Sequence, residues 1–260
     1  MTCGDIIEML ETLSPAMYAE SWDNIGLLAG RRDKEVGTIY IALDATDEVI
    51  DDAVRCGADM LLTHHPLIFK SLKRITTDDF IQRRVYRLIQ NDISYYAMHT
   101  NFDVMGMADA AADELFLKDR RVLNVTYEDD ISKEGCGRVG RLSEKMSVAD
   151  CAEFVKKRFK VPNVKIFGEL GDIVEYAAVM PGSGGDFVKD AVAAGADVMI
   201  TGDISHHTGI DAAAQGLNII DAGHYGIEKL FIPYMEEFLK RELSGINIIA
   251  AEPKEPFVIK

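Results

Sequence analysis

The stretch Asp52-Ala53-Val54-Arg55-Cys56-Gly57-Ala58-Asp59-Met60-Leu61-Leu62-Thr63 returns as Asp190-Ala191-Val192-Ala193-Ala194-Gly195-Ala196-Asp197-Val198-Met199-Ile200-Thr201. Seven of the twelve positions are identical, more than two unrelated helix–turn–strand units would share by chance. Each copy has the end of a helix, a glycine where a left-handed cap is wanted, and a short apolar strand. A strand apolar on both faces belongs in the middle of a parallel sheet. Further on, Ala97-Met98-His99 through Asp103 parallels Ala222-Gly223-His224 through Glu228: strand, histidine, three residues, carboxylate. The repeat predicts two related βα halves, residues 1–121 and 122–260, facing one another across a pseudo-twofold axis in one compact, intertwined unit.

Outward from the repeat, the pattern alternates. A helix is expected over Asp5–Leu13, a strand over Thr38–Leu43, and a helix over Asp47–Cys56. Strand Met60–Thr63, helix Asp78–Gln90 and strand Ser94–Met98 follow. The segment Val122–Ser143 is less regular, with a strand at Arg138-Val139-Gly140. Ser147 is a good N-cap for a helix over Val148–Phe159. The alternation then resumes with strand Glu175–Met180, helix Asp186–Ala194 and strands Val198–Thr201 and Asn218–Ala222. A long last helix starts near Gly226, and Pro233 kinks it or marks a new helix. Alternating strands and helices give right-handed crossovers and an α/β fold.

All six histidines, His64, His65, His99, His206, His207 and His224, fall at or just past an expected strand end. Open parallel sheets bind ligands there. Adjacent strand side chains point to opposite faces, so His64 and His65 suit two ions better than one. His224 and Glu228 share a helix face if the helix begins by His224, and Asp103 follows His99 at the same interval. His64, His65, Asp103, His224 and Glu228 are therefore the candidate ligands, with Glu228 able to bridge. This nitrogen–oxygen set without thiolate suits two divalent ions of Zn, Mn, Fe, Co or Ni. His99 fits a ligand, a supporting group or a proton shuttle, and His207 is the second candidate for proton transfer. Strand-end capping accounts equally well for His99, Asp203, His206 and His207. Pro181-Gly182-Ser183-Gly184-Gly185 is expected as a strand–helix loop. Gly182, Ser183 and Gly184 are candidate substrate contacts for an anion, although a plain tight turn explains the loop as well, and Asp203, which the repeat places opposite His65, is a candidate substrate contact in the same cavity. The segment lacks the Gly-Lys-Ser/Thr ending of a P-loop. Trp22-Asp23-Asn24 lines the same cleft or forms a capping turn.

Composition narrows the class. The chain has 260 residues, 48% of them apolar, and a net charge of −15. Such a surface repels nucleic-acid backbones and anionic membranes, so neither is an expected partner. The four cysteines form no C-x-x-C pair, and no basic and apolar leader opens the chain, so a cytoplasmic protein is expected.

Five segments in order carry a family likeness: Ser21-Trp22-Asp23-Asn24-Ile25-Gly26-Leu27, Thr63-His64-His65-Pro66-Leu67-Ile68-Phe69, His99-Thr100-Asn101-Phe102-Asp103, Gly137-Arg138-Val139-Gly140 and Gly223-His224-Tyr225-Gly226-Ile227-Glu228. Together they resemble the GTP cyclohydrolase 1 type 2 homologs. The resemblance implies a duplicated three-layer α/β/α fold, a dinuclear metal centre on His64, His65, Asp103, His224 and Glu228, and a ring-shaped homohexamer. Pro181 departs from the family, which usually has glycine there. Two metals can activate water against an electrophilic carbon or phosphorus. The expected function is a metal-dependent hydrolase with a small, nucleotide-like substrate. The alternative is a non-enzymatic metal-delivery or regulatory scaffold.

Overall fold

A computed structural model describes residues 1–260, which divide into two units. One comprises Met1–Phe102 and Phe231–Pro253, the other Asp103–Leu230 and Lys254–Lys260.

In the first unit Thr2 and Asp5 exchange side-chain and backbone hydrogen bonds, a capping box that starts α1 (Cys3–Leu13). Then come β1 (Gly26–Ala29), β2 (Thr38–Ala42), α2 (Asp47–Arg55), β3 (Met60–Thr63), α3 (Phe80–Gln90), β4 (Ser94–Ala97) and the short α4 (Thr100–Phe102). Tyr40, Ala42, Leu61, Tyr95 and Ala97 form one face of the sheet and pack with Ile50, Ala53, Val85 and Leu88 of α2 and α3. On the opposite face Ile39, Ile41, Met60, Leu62 and Tyr96 are also buried, so both faces of the sheet are covered.

The second unit opens with a π-helical turn, Asp103–Met107, which runs into α5 (Ala108–Glu114). It continues with β5 (Lys118–Glu128), β6 (Lys133–Ser147), α6 (Val148–Phe159), β7 (Lys165–Phe167), β8 (Ile173–Ser183) and α7 (Val188–Ala193). β9 (Val198–Gly202), α8 (His206–Ala214), β10 (Asn218–Asp221) and α9 (His224–Glu228) complete it. Its main core joins Ala177, Val179, Val198, Ile200 and Ile220 of the sheet to Val148, Cys151, Val155 and Phe159 of α6. The chain then returns to the first unit with α10 (Phe231–Glu242) and β11 (Asn247–Ala250), which pairs in parallel with β2. The strands therefore do not divide at residue 121: the last helix falls in the first unit and the last strand in its sheet.

The strand orders are β1-β4-β3-β2-β11 and β5-β6-β8-β9-β10-β7. Within them β4-β3-β2 and β10-β9-β8 are parallel, and β1 and β7 lie antiparallel on the outer side of β4 and β10. The duplication is thus built into the topology, and the mixed α/β class is as expected. The repeated Gly-Ala-Asp has a physical cause. Gly57 and Gly195 sit at φ +66° and +77°, the left-handed region open to glycine. Asp59 then accepts the N–H groups of Gly37 and Thr38, and Asp197 those of Glu175 and Tyr176. In each half one carboxylate ties down two successive N–H groups of the neighbouring parallel strand, at or just before the point where the pairing begins.

Several elements differ from the sequence reading. The irregular 122–143 segment is two long antiparallel strands, β5 and β6, whose exposed faces carry the charge that hid them. β8 runs through Pro181 and Gly182 to Ser183, so the expected loop is mostly strand end. β1, β7, β11 and α8 lack a sequence signal, three of them being edge strands of three or four residues. Pro233 lies in the first turn of α10, where its missing N–H costs nothing, so it marks a new helix and not a kink. The second part of the repeat is offset by one residue. Thr63 pairs with Ala97 but Thr201 with Asp221, so His99 corresponds to Gly223 and not to His224.

Candidate metal centre

Each unit carries its own histidine–carboxylate cluster at the carboxyl ends of its parallel strands. In the first, β3 ends at Thr63 and the chain turns sharply through His64-His65-Pro66. Tyr95 shapes that turn: its hydroxyl bonds Thr63 Oγ1, accepts from Leu67 N–H and donates to the His65 carbonyl. Because the strand has ended, the two imidazoles are not on opposite faces as alternation predicts. Their centroids are 4.8 Å apart, and His99 lies 5.3 Å from His64 and 5.4 Å from His65. One nitrogen from each of the three falls within 4.8 Å of the others, a group that could hold a metal ion.

All three rings are held the same way, through Nδ1. His64 Nδ1 is 2.8 Å from the Met98 carbonyl, His65 Nδ1 is 2.8 Å from Asp44 Oδ1, and His99 Nδ1 is 2.9 Å from Asp23 Oδ1. A carbonyl or carboxylate can only accept, so each neutral ring donates Nδ1–H and carries its lone pair on Nε2. This outer partner fixes tautomer and ring orientation, the arrangement found behind metal-ligating histidines. His64 is fully buried against the ring of Phe231, 5.4 Å away, and that of Phe102, 6.3 Å away. Asp23 also accepts from the amide and hydroxyl of Thr100. Burial would raise its pKa, but the bonds from His99 and Thr100 outweigh burial and bring it down to about 2. Trp22 and Phe69, both largely exposed, meet His99 edge-on at 6.0 and 5.9 Å. Asn24 donates to the Ile68 carbonyl and pins the segment after the histidine pair.

In the second unit α9 does begin at His224, as the shared helix face requires. His224 Nε2 is 2.8 Å from Glu228 Oε2, and its Nδ1 is 2.8 Å from Asp203 Oδ2. Burial favours the neutral imidazole, yet the Glu228 and Asp203 carboxylates prevail and raise its pKa to about 9. Glu228 is buried, and Gly182 makes room for it: a Cβ there would lie 2.5 Å from Glu228 Oε1, at a backbone φ of +70°. Gly202 does the same for the start of α9, since a Cβ would fall 2.4 Å from the His224 nitrogen. Asp221, buried at the end of β10, accepts from Ile204 and Gly223 N–H and sets the turn into α9. Asp103 opens the π-helical turn. His206 and His207 are neighbours in the first turn of α8, rings 5.3 Å apart, the N-cap Ser205 preceding them. Ser183 is exposed at the end of β8, and Gly184 packs so close to Thr201 that a Cβ would lie 2.0 Å from its hydroxyl.

The structure thus gives Gly182 and Asp203 supporting places beside Glu228 and His224, roles the loop reading did not foresee. It adds Asp44, Asp23 and Tyr95, which the histidine pattern alone did not single out. Asp44 was findable: it follows β2 by two residues, at the same sheet end as His64.

A duplicated α/β fold with carboxylate-buttressed histidines at its strand ends defines the class: an α/β protein with histidine–carboxylate groups that could hold a metal ion. The family model of Duf34/NIF3 (NGG1p interacting factor 3) matches residues 1–256, and the chain belongs to that family. It is similar to the "GTP cyclohydrolase 1 type 2 homolog" of Clostridium perfringens, with 38% identity over 99% of both chains. The protein of that name from Clostridium acetobutylicum is 33% identical over 98% of each. Among solved structures, a Bacillus cereus protein related to NIF3 superposes with a TM-score of 0.92 at 27% identity, covering 100% of this chain and 99% of that one. Reduced HcgD from Methanocaldococcus jannaschii matches with a TM-score of 0.82 at 35% identity, over 96% and 97% of the two chains.

Proposed function

We propose that His64, His65, Asp103, His224 and Glu228 hold two divalent transition-metal ions, and that the chain is a metal-dependent hydrolase of a nucleotide-like substrate. The observation that carries this reading is the common anchoring of the His64, His65 and His99 rings through Nδ1, with one nitrogen of each within 4.8 Å of the others. The names of the relatives support the substrate class. When bound, the ions would supply Lewis acidity to a carbonyl or phosphoryl oxygen and acidify a water molecule. The chain's own groups do the rest. His64 and His65 donate Nε2, and Glu228 has two oxygens with which to bridge. His99 is the proton carrier at Nε2, its ring held in place by Asp23 on the other nitrogen. His207 is the second candidate for that step. Ser183, exposed beyond the Gly182 that packs on Glu228, is the candidate contact for an anionic part of the substrate together with Gly182 and Gly184, and Asp203 is a further candidate substrate contact. The working location is the cytoplasm. Among the structural facts, no helix is long and apolar enough to cross a membrane.

Elemental analysis and turnover test the reading together. Protein incubated with Zn, Mn, Fe, Co or Ni should retain two ions per chain. Glu228→Gln should lose affinity for both, and His206→Ala for neither. A nucleotide panel should turn over with the loaded wild type and not with Glu228→Gln. Two bound ions with no turnover would favour a metal-binding scaffold. A chain that stays metal-free would end the proposal.

A further inference from the structure

The Gly137-Arg138-Val139-Gly140 segment has no part in the ligand set, yet Arg138 is among the few buried charged residues of the chain. Taking a guanidinium out of water is costly unless every donor finds an acceptor. Here all five do. Nε and Nη2 form a fork on the two oxygens of Asp109, at 3.0 and 2.8 Å. Nη1 donates to the carbonyls of Gly135 and Gly137, each at 2.9 Å, and Nη2 also donates to the Val104 carbonyl at 3.3 Å. The glycines around it let β6 lie close against its neighbouring strands. A Cβ on Gly135 would lie 1.9 Å from the Asn124 carbonyl, one on Gly137 2.9 Å from that of Val179, and one on Gly140 2.7 Å from that of Lys118.

The guanidinium therefore reaches out of β6 to the π-helical turn and the first turn of α5. A π-helical turn inserts an extra residue into the helix, spoils its regular hydrogen bonding, and recurs at functional positions. Such a turn needs outside support. Val104, whose carbonyl Arg138 holds, is the residue directly after Asp103. Packing β5, β6 and β8 against one another requires no charge at this place, whereas holding a loosened turn does.

We infer that Arg138 is the positioning residue for Asp103: with Asp109 it clamps the Asp103–Met107 turn and so fixes the carboxylate that the site presents to metal. This rests on Asp103 being a ligand, as proposed above. Lysine at 138 keeps the charge and the reach to Asp109, but its compact ammonium cannot serve the fork and three carbonyls at once. The loss of about 10- to 100-fold on removing a ligand's direct outer partner sets the scale, with Arg138 acting on the turn that carries the carboxylate.

The test uses the full chain, stripped with chelator and reloaded with Co²⁺. Affinity is measured by calorimetry, ligand geometry by the visible absorption of bound cobalt, and fold by circular dichroism. In Arg138→Lys one of the two ions should bind at least tenfold more weakly, with an altered cobalt spectrum and an unchanged dichroism spectrum. Asp109→Asn, which leaves the carbonyl bonds in place, should give a smaller change in the same direction and covers the case in which Arg138→Lys does not fold. Asp103→Asn should reproduce the loss at the same ion. Variants that melt earlier yet bind both ions as the wild type does would make Arg138 a staple of the fold only, and overturn the inference. Wild type and Asp103→Asn binding cobalt alike would instead remove Asp103 from the ligand set, and the inference with it.

Discussion

Asp23 gathers four donors on one fully buried carboxylate: its neighbour's amide, the His99 ring and both Thr100 groups. A pKa lowered from 3.8 to about 2 corresponds to about 2 kcal/mol of stability. The folded value lies below the unfolded one, so this contribution is present above pH 4 and is lost as pH falls towards 2. Asp23→Asn should therefore lower the urea midpoint at pH 7 and show a flatter decline between pH 4 and 2 than the wild type. His224 behaves in the opposite sense. Raised from 6.5 to about 9, its charged pairing with Glu228 and Asp203 stabilises the metal-free chain below pH 6.5 and fades as pH rises through 9. An ion bound on His224 as proposed displaces that proton, so affinity should rise with pH up to about 9, and calorimetry in buffers of different ionisation enthalpy should detect proton release. Glu228→Gln should bring the His224 titration, followed by NMR, to lower pH. The histidines themselves were legible as a strand-end cluster. Their anchoring was less legible, because Met98, Asp44 and Asp23 stand far in sequence from His64, His65 and His99, which they respectively hold, and meet them only in space.

Among the elements, the repeated helix–Gly-Ala-Asp–strand unit is the most legible because its function is local to each half. Asp59→Ala and Asp197→Ala should each cost about 1–3 kcal/mol, since two strand N–H groups lose their acceptor. Chemical denaturation of the two variants should give similar losses, and an unchanged midpoint in either would show that the duplicated bond is dispensable. Central strands such as β3 and β9 announce themselves as short apolar runs. β5 and β6 do not, because a long antiparallel ribbon with exposed positions takes charged residues freely. The edge strands β1, β7 and β11 owe their extended form to the neighbours they pair with, β4, β10 and β2, rather than to any strong pattern of their own.

For the whole molecule, the charge of −15 means that any assembly must offset mutual repulsion. The proposed homohexamer should scatter light at about six times 28.8 kDa, and its dissociation should be favoured by low salt, where charges are least screened. A monomer across the micromolar range and across salt would refute it. From the sequence alone came the α/β class, its duplication and the strand-end histidines, consequences of periodicity, turn chemistry and residue type, which act over a few positions; the family came from the likeness of five ordered segments. The tertiary structure alone decided that α10 and β11 return to the first unit and that His64 and His65 lie side by side in a turn. It alone showed Gly182 making room for Glu228, and the second half of the repeat slipping by one residue. Those outcomes depend on which backbone groups and side chains from distant parts of the chain reach one another, and no local pattern encodes that distance.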